Sequence, residues 1–303
     1  MQITPRLLCD VVLVSFLSVL AGCGSSGSGT PPPPPPPPAY SFAYLNHVGT
    51  NLYQIKMMKT DGTSQTSVGS TDNFTYVRLS PDRSKIVFSY LDGSNVSQIG
   101  LINADGSGRT NLTLPPQQPD PNYPQYPQFT SDGTKIIYQS LNGSLDIVTI
   151  NLDGSNPTYL TSGGGNYFWP TISPDGQLIA LGTDSPAYSL ATMNSDGSGL
   201  QVIEDGPDAR YPAFSSDGKT IFFNNNTSLA GEFIYSISVD GTNLKQLTQS
   251  NYDYCPLVLG NTVLFQSTSN YQVPDSYQVF AMAEDGSGVT QLTHDAVFDG
   301  FCP

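Results

Sequence analysis

The chain has 303 residues, enough for one large domain or two small ones, and its 25 acidic residues outnumber its 11 Lys and Arg residues. The resulting net charge of −14 argues against nucleic-acid binding, which requires a basic surface that displaces counterions. It also disfavours adsorption onto anionic lipid. Glycine (29 residues) and proline (25 residues) are abundant, which favours strands and turns over helices.

The N-terminus has the layout of an export signal. The apolar run at 11–20 is too short to span a bilayer, and small residues follow it. The segment Leu20-Ala21-Gly22-Cys23 resembles the lipobox of bacterial lipoproteins. This resemblance implies that residues 1–22 are removed and that Cys23 is acylated. An ordinary signal peptide cleaved nearby and a single N-terminal transmembrane anchor are the alternatives.

Residues 23–39 are predicted to form a spacer. A Gly/Ser-rich stretch precedes eight consecutive prolines, Pro31 to Pro38. Such a run forms a stiff polyproline II rod of roughly 25 Å, at about 3.1 Å per residue. A proline tract can also be a ligand for aromatic-lined grooves. Its position between an anchor and a domain favours a tether.

Residues 40–303 contain an internal repeat that predicts the fold. Asp-Gly recurs at spacings of 44, 48, 43, 44 and 45 residues, and a second turn of the Ser-Pro-Asp-Gly type follows most copies. Runs rich in β-branched and aromatic residues lie between these turns, and Asp-Gly between such runs is a strong hairpin signal. Four strands per period are typical of a propeller blade. We therefore predict an all-β, six-bladed β-propeller with four-stranded antiparallel blades. The repeated aspartates are Asp61, Asp105, Asp153, Asp196, Asp240 and Asp285.

The second turn carries a family resemblance. The segment from Pro170 to Gly176 (PTISPDG) and the segment from Pro212 to Lys219 (PAFSSDGK) resemble the repeat signature of TolB-like propellers. The resemblance covers residues 40–303 and implies a propeller with protein partners. TolB itself carries an additional N-terminal α/β domain. This chain has a tether in that position, so the full role of TolB is not transferred.

Counting strands predicts how the ring closes. We label the strands of a blade A to D, from the inner to the outer edge. The chain enters in strand B of the first blade, at residues 40–44, and ends at residues 301–303, which match the start of an inner strand. The C-terminus should therefore supply strand A of the first blade.

The cysteine count points to a link at this seam. Cys9 leaves with the signal and Cys23 takes the lipid, so Cys255 and Cys302 remain as an even pair in an oxidising compartment. We predict that they form a disulfide that joins the C-terminal segment to the neighbouring blade. Two buried, unlinked thiols are the alternative.

Chain direction gives the propeller two unlike faces. The A–B and C–D turns are short and nearly identical, and we call their side the turn face. The B–C and D–A loops vary widely and define the variable face, where binding usually resides. The tether joins at the turn face, so the variable face should point away from the membrane. Its aromatic and charged residues are the predicted binding candidates, although packing between blades is an equal alternative for many of them: Phe74, Tyr123, Tyr167, Phe168, Asp208, Arg210, Tyr252, Asp253 and Asp299.

The sequence contains neither a Gly-x-Ser-x-Gly elbow nor a Walker loop. We therefore predict that the protein is not an enzyme and needs no cofactor. Some related propellers are polysaccharide lyases that use several histidines and a metal, whereas this chain has two histidines. His47 and His294, with Asp295, are the weak candidates for a metal site, and solvated loop histidines are the favoured interpretation.

The combined pattern supports three hypotheses. The first is a monomeric, non-catalytic interaction module, lipid-anchored in the cell envelope and presenting its variable face to an envelope protein or peptide. The second is a carbohydrate-binding surface protein whose aromatic residues stack on sugars. The third is a metal-dependent polysaccharide lyase or a hydrolase that uses the acidic funnel. Outer-membrane attachment, on the periplasmic side or at the cell surface, is the expected location for the first.

Overall fold

The computed structural model describes residues 41–113, 124–185, 188–204, 208–227, 231–249, 252–268, 277–294 and 299–300. These residues belong to one compact unit, Ala39–Pro303. No helix within these ranges is long and apolar enough to cross a membrane. The predicted signal, Cys23 and the tether lie outside the described residues.

The described residues form 24 strands. In chain order they are β1 Ser41–Gly49, β2 Leu52–Lys59, β3 Thr66–Asp72, β4 Phe74–Leu79, β5 Lys85–Leu91, β6 Ser97–Asn103, β7 Thr110–Asn111, β8 Gln125–Phe129, β9 Lys135–Asn142, β10 Ser144–Asn151, β11 Thr158–Tyr159, β12 Tyr167–Ile172, β13 Leu178–Thr183, β14 Ser189–Asn194, β15 Gln201–Glu204, β16 Ala209–Phe214, β17 Thr220–Thr227, β18 Gly231–Ser238, β19 Lys245–Gln246, β20 Asp253–Leu259, β21 Thr262–Ser267, β22 Gln278–Ala283, β23 Thr290–Gln291 and β24 Asp299–Gly300.

The strands form six antiparallel sheets of four strands each, which confirms the predicted propeller. Blades 2 to 6 use consecutive strands: β4–β7, β8–β11, β12–β15, β16–β19 and β20–β23. Neighbouring inner strands contact each other, as in the pairs β4 and β8, β12 and β16, and β16 and β20. The blades therefore follow one another round a ring, with their inner strands at its centre.

The first blade contains both ends of the propeller. Its order is β24-β1-β2-β3, and β24 pairs with β1 through Leu45 opposite Gly300 and Asn46 opposite Asp299. Strand β24 also contacts β22 of blade 6. The prediction that the C-terminal segment supplies the inner strand of blade 1 is confirmed at residues 299–300. Residues 301–303 lie outside the described part.

The C–D turns are held by their own aspartates. In the first of them, Asp61 Oδ1 accepts hydrogen bonds from the backbone N–H and the hydroxyl of Thr63, at 2.9 and 2.6 Å. The next residue, Gly62, has a φ of 81°, which glycine adopts without a steric penalty. The same pairing recurs between Asp105 and Ser107. These carboxylates satisfy the turns themselves, as expected for hairpins.

The hydrophobic core is divided among the spaces between blades. Ile137 and Ile147 of blade 3, for example, pack with Ile179 and Leu181 of blade 4, and all four are buried. Alternate residues of a strand point to opposite faces of its sheet, so each blade contributes to two such layers. Burial of this apolar surface drives the association of the blades.

Candidate functional site

Four inner strands share an unusual backbone conformation before a proline. Tyr126, Trp169, Tyr211 and Cys255 have φ values of 54°, 50°, 51° and 55°. Each precedes a proline, and the pairing of its strand with strand B shifts register there. Bulky residues in this left-handed region are strained by about 1–2 kcal/mol each. The conformation persists because packing at the centre of the ring maintains it.

Side chains from these positions meet at the centre of the ring. The ring centroids of Trp169 and Tyr211 lie 4.9 Å apart, those of Tyr126 and Tyr211 5.7 Å apart, and those of Tyr126 and Trp169 6.3 Å apart. Tyr76 of blade 2 joins them, 5.3 Å from Tyr126. Residues from four blades can meet in this way only near the propeller axis. We call Tyr76, Tyr126, Trp169 and Tyr211 the axial cluster.

Two neighbouring residues position Trp169. Its backbone N–H donates to Oε1 of Gln139 in blade 3, at 3.0 Å. Gly182 lies against its ring, and a Cβ added there would come within 2.9 Å of Trp169 Cε3. A larger residue at 182 would therefore displace the indole.

Aromatic contacts continue from the axial cluster to the surface. Phe168 lies 5.1 Å from Trp169 and 5.8 Å from Tyr188, measured between ring centroids. Tyr188, in the B–C loop of blade 4, is 48% exposed. We call Phe168, Trp169 and Tyr188 the aromatic strip. It connects the buried axis to open solvent on the variable face.

An ion cluster lies beside this strip. Asp208 accepts two hydrogen bonds from the Arg210 guanidinium, one of them 2.7 Å from Nε to Oδ1. Glu232 Oε1 lies 3.9 Å from Arg210 Nη1. The Arg210 guanidinium carbon is 5.9 Å from the centroid of Trp169. The two carboxylates leave this cluster with a net negative charge, next to the aromatic strip.

Burial and charge perturb the titration of these groups. Burial lowers the pKa of Arg210, but the hydrogen bond and charge of Asp208 outweigh it, so the pKa is raised overall. Burial raises the pKa of Tyr211 well above its ordinary value, and neighbouring Tyr126 adds to the effect. The pKa of Tyr254 is raised for the same main reason. Tyr211 and Tyr254 are therefore neutral hydrogen-bonding groups at physiological pH.

The predicted binding candidates differ in their exposure to solvent. Phe168, Asp208, Arg210 and Tyr252 are partly exposed on the variable face. Tyr123 and the side chain of Asp299 lie outside the described residues. Tyr188 and Glu232 were not among the residues predicted from the sequence. Tyr188 stands alone in a polar loop, so only its aromatic character in that loop signalled it.

Three of the predicted binding candidates are buried and are not exposed on the variable face, which corrects the prediction for them. Phe74 is 3% exposed and packs edge-on against Phe88, at 5.1 Å. Tyr167 is 8% exposed and packs between blades 3 and 4. Asp253 is 1% exposed, because alternation along β20 directs it away from Tyr254, which packs toward blade 1.

The histidines proposed as weak metal-site candidates lie in different local environments. His47 lies 5.1 Å from the ring of Tyr53, and His294 is exposed. Asp295 lies outside the described residues. Across the described ranges, no three His, Cys, Asp or Glu side chains are grouped to hold a metal ion.

Cys255 is disulfide-bonded and fully buried. Its backbone N–H lies 3.4 Å from Oδ1 of Asn224 in blade 5. Cys302, the predicted partner, lies outside the described residues, so the pairing stays a prediction.

Comparison with known proteins agrees with the six-bladed propeller described above. Residues 40–256 match the sequence family described as the TolB beta propeller domain. Among solved structures, TolB from Acinetobacter baumannii superposes with a TM-score of 0.72 at 18% identity, covering 86% of this chain and 65% of that one. A chain of a nidogen/laminin complex gives 0.68 at 11% identity, with 86% and 97% covered. The tricorn protease gives 0.61 at 15% identity, with 84% and 26% covered. No curated protein matches the sequence.

Proposed function

This chain belongs to the family of the TolB beta propeller domain, and from that premise we propose that it is a non-catalytic protein-interaction module of the cell envelope. The observation that carries the proposal is the aromatic strip, which leads from the axial cluster to exposed Tyr188 on the variable face. Tyrosine and tryptophan dominate the binding energy of many protein interfaces. The chain spans 65% of the length of the Acinetobacter TolB, so the activities of the whole TolB protein are not assumed.

The charges beside the strip favour a peptide segment as the ligand. Arg210 is already paired with Asp208, and Glu232 adds a further negative charge. A peptide that brings aromatic or aliphatic side chains to the strip and a basic group to Glu232 would match this surface. A paired arginine that is 31% exposed can also exchange partners with an incoming carboxylate.

The lipid anchor completes the proposal. Strand β1 begins at Ser41, opposite Lys59 and next to the Asp61 turn, on the turn face. We expect the tether to join the propeller at this face, so that the variable face points away from a membrane that holds an acylated Cys23. Replacement of Cys23 by Ser should release the protein from the membrane fraction. Retention of the Ser variant in that fraction would argue for a transmembrane anchor.

The binding proposal is tested by capture from native envelopes. The full chain is crosslinked in isolated envelopes, and its adducts are compared with those of a variant carrying Phe168→Ala and Tyr188→Ala. A variant carrying Leu200→Ala and Leu244→Ala is the matched control, since both residues are exposed but lie outside the strip. We expect a protein adduct that is lost only in the first variant. Binding of a glycan but no protein would replace the proposal with carbohydrate binding, and turnover of a substrate would exclude a non-catalytic role.

A further inference from the structure

A cleft separates blades 5 and 6 on the side of β20 that faces blade 5. It has a volume of about 890 Å³, within the range of roughly 300–1,000 Å³ that ligand pockets span. Its walls carry hydroxyl and amide groups from Thr248, Ser267 and Gln278, and the rings of Phe265 and Phe280. We call it the 5–6 cleft.

Asp253 lines this cleft and is almost completely buried, with 1% of its surface exposed. Thr248 and Ser267 form hydrogen bonds to its carboxylate, but Oδ1 has no hydrogen-bond partner among the residues that the structure describes. A buried carboxylate is costly unless it is paired with opposite charge and hydrogen-bonded. Burial accordingly raises the pKa of Asp253.

The propeller repeat does not require an acid at this position. The register of strands A and B places Asp253 opposite Ser267, and the equivalent residues are Phe74 opposite Tyr90, Tyr167 opposite Thr183 and Ala209 opposite Asn225. These three residues are buried and serve the packing between blades. Blade 6 therefore has a destabilising carboxylate where other blades have an apolar side chain, which points to a ligand.

The composition of the cleft indicates the charge of that ligand. Its described lining includes one carboxylate and no Lys, Arg or His. A neutral ligand would leave the buried charge uncompensated, whereas a cation would pair with it. The rings of Phe265 and Phe280 stack 5.6 Å apart at 24°, and the partly buried Phe280 adds an apolar wall for an aliphatic stem.

We propose that the 5–6 cleft binds an organic cation, an alkylammonium or guanidinium group on an aliphatic stem, with Asp253 as its counter-ion. The site is separate from the aromatic strip, because the described residues that line the cleft belong to blades 5 and 6, whereas the strip belongs to blade 4. The proposal therefore does not depend on the function assigned to the strip.

Such a head group has two sources, a free amine or a basic side chain of a peptide. Calorimetric titration of the full chain with 1,5-diaminopentane, and with a short capped peptide containing one Lys, separates them. The neutral probe 1-pentanol has the same stem without the charge. We expect saturable binding of an amine and none of the alcohol. Tighter binding of the capped peptide would assign the site to a partner's side chain, and tighter binding of the diamine to a free amine.

Variants connect the binding to Asp253. Asp253→Asn keeps one oxygen that can accept hydrogen bonds from Thr248 and Ser267 but removes the charge, and Asp253→Ala reproduces the residue of blade 5 at position 209. Either change should weaken amine binding about tenfold or more. Asp146→Asn is the matched control, because Asp146 is also buried and accepts a hydrogen bond from Thr161, but lies in blade 3.

Three results would overturn the proposal. One is the absence of saturable amine binding by the wild-type chain at concentrations up to about 10 mM. Another is equal affinity of the wild type and the Asp253 variants. The third is an equal loss of affinity in Asp146→Asn.

Discussion

Removal of the Cys255 disulfide should lower the stability of the propeller by a calculable amount. The ring of blades is closed by β24, which is described at residues 299–300, and Cys255 lies in the neighbouring inner strand β20. If the partner is Cys302, the bond spans an interval of 46 residues. The chain-entropy model then gives about 4 kcal/mol of stabilisation. A chain of this size loses about 2–4 °C per kcal/mol, so the unfolding temperature should fall by roughly 10 °C or more.

The assay is scanning calorimetry of the wild type with and without a reductant, beside Cys255→Ala, Cys302→Ala and the double variant. If Cys255 and Cys302 share one bond, the unfolding temperature of each single variant should fall as far as that of the double variant, apart from the small packing loss at buried Cys255. The reduced wild type should match Cys302→Ala. An unchanged unfolding temperature in Cys302→Ala, or mass spectrometry that links Cys255 to another cysteine, would refute the pairing.

Two further perturbations test the site and the turns. Gly182→Ala places a methyl group within 2.9 Å of the Trp169 ring and should destabilise the fold by about 1–3 kcal/mol. The fluorescence of the single tryptophan should shift as well. An unaltered emission spectrum would contradict the packing of Gly182 against this ring. Hydrogen bonds from Ser80 and Ser84 lower the pKa of Asp82 to about 2, so its stabilisation is present above the unfolded-state pKa and lost as pH falls toward 2. Asp82→Asn should therefore reduce the fall of the unfolding temperature between about pH 4 and 2, and an identical pH profile would count against this role.

The turns and strand order were predictable because their chemistry is local. Asp61 and Gly62 contain the information for their turn, a carboxylate acceptor and a residue that tolerates positive φ. The repeat then specifies six blades, and the offset of the chain ends specifies closure by the C-terminal segment. None of these inferences required knowledge of contacts between blades.

The candidate site was only partly predictable because its geometry arises from packing between blades. The left-handed conformation of Tyr126, Trp169 and Tyr211 turns three aromatic rings toward one another, although the residue before a proline normally favours extended backbone. Alternation along the inner strands then decides which neighbours are buried. Asp253 was predicted to lie on the variable face because the direction of its side chain depends on this alternation. The structure places it in the 5–6 cleft.

Site-specific photo-crosslinking in living cells tests most directly whether the variable face binds a protein. A photoreactive phenylalanine analogue is incorporated at position 188, on the aromatic strip, or at position 244, an exposed site outside it. A protein-binding variable face should give one discrete protein adduct from position 188 that is absent from position 244. Equal adducts from both positions, or none from position 188 while the protein is folded and exported, would contradict the assignment of the variable face as a protein-binding surface.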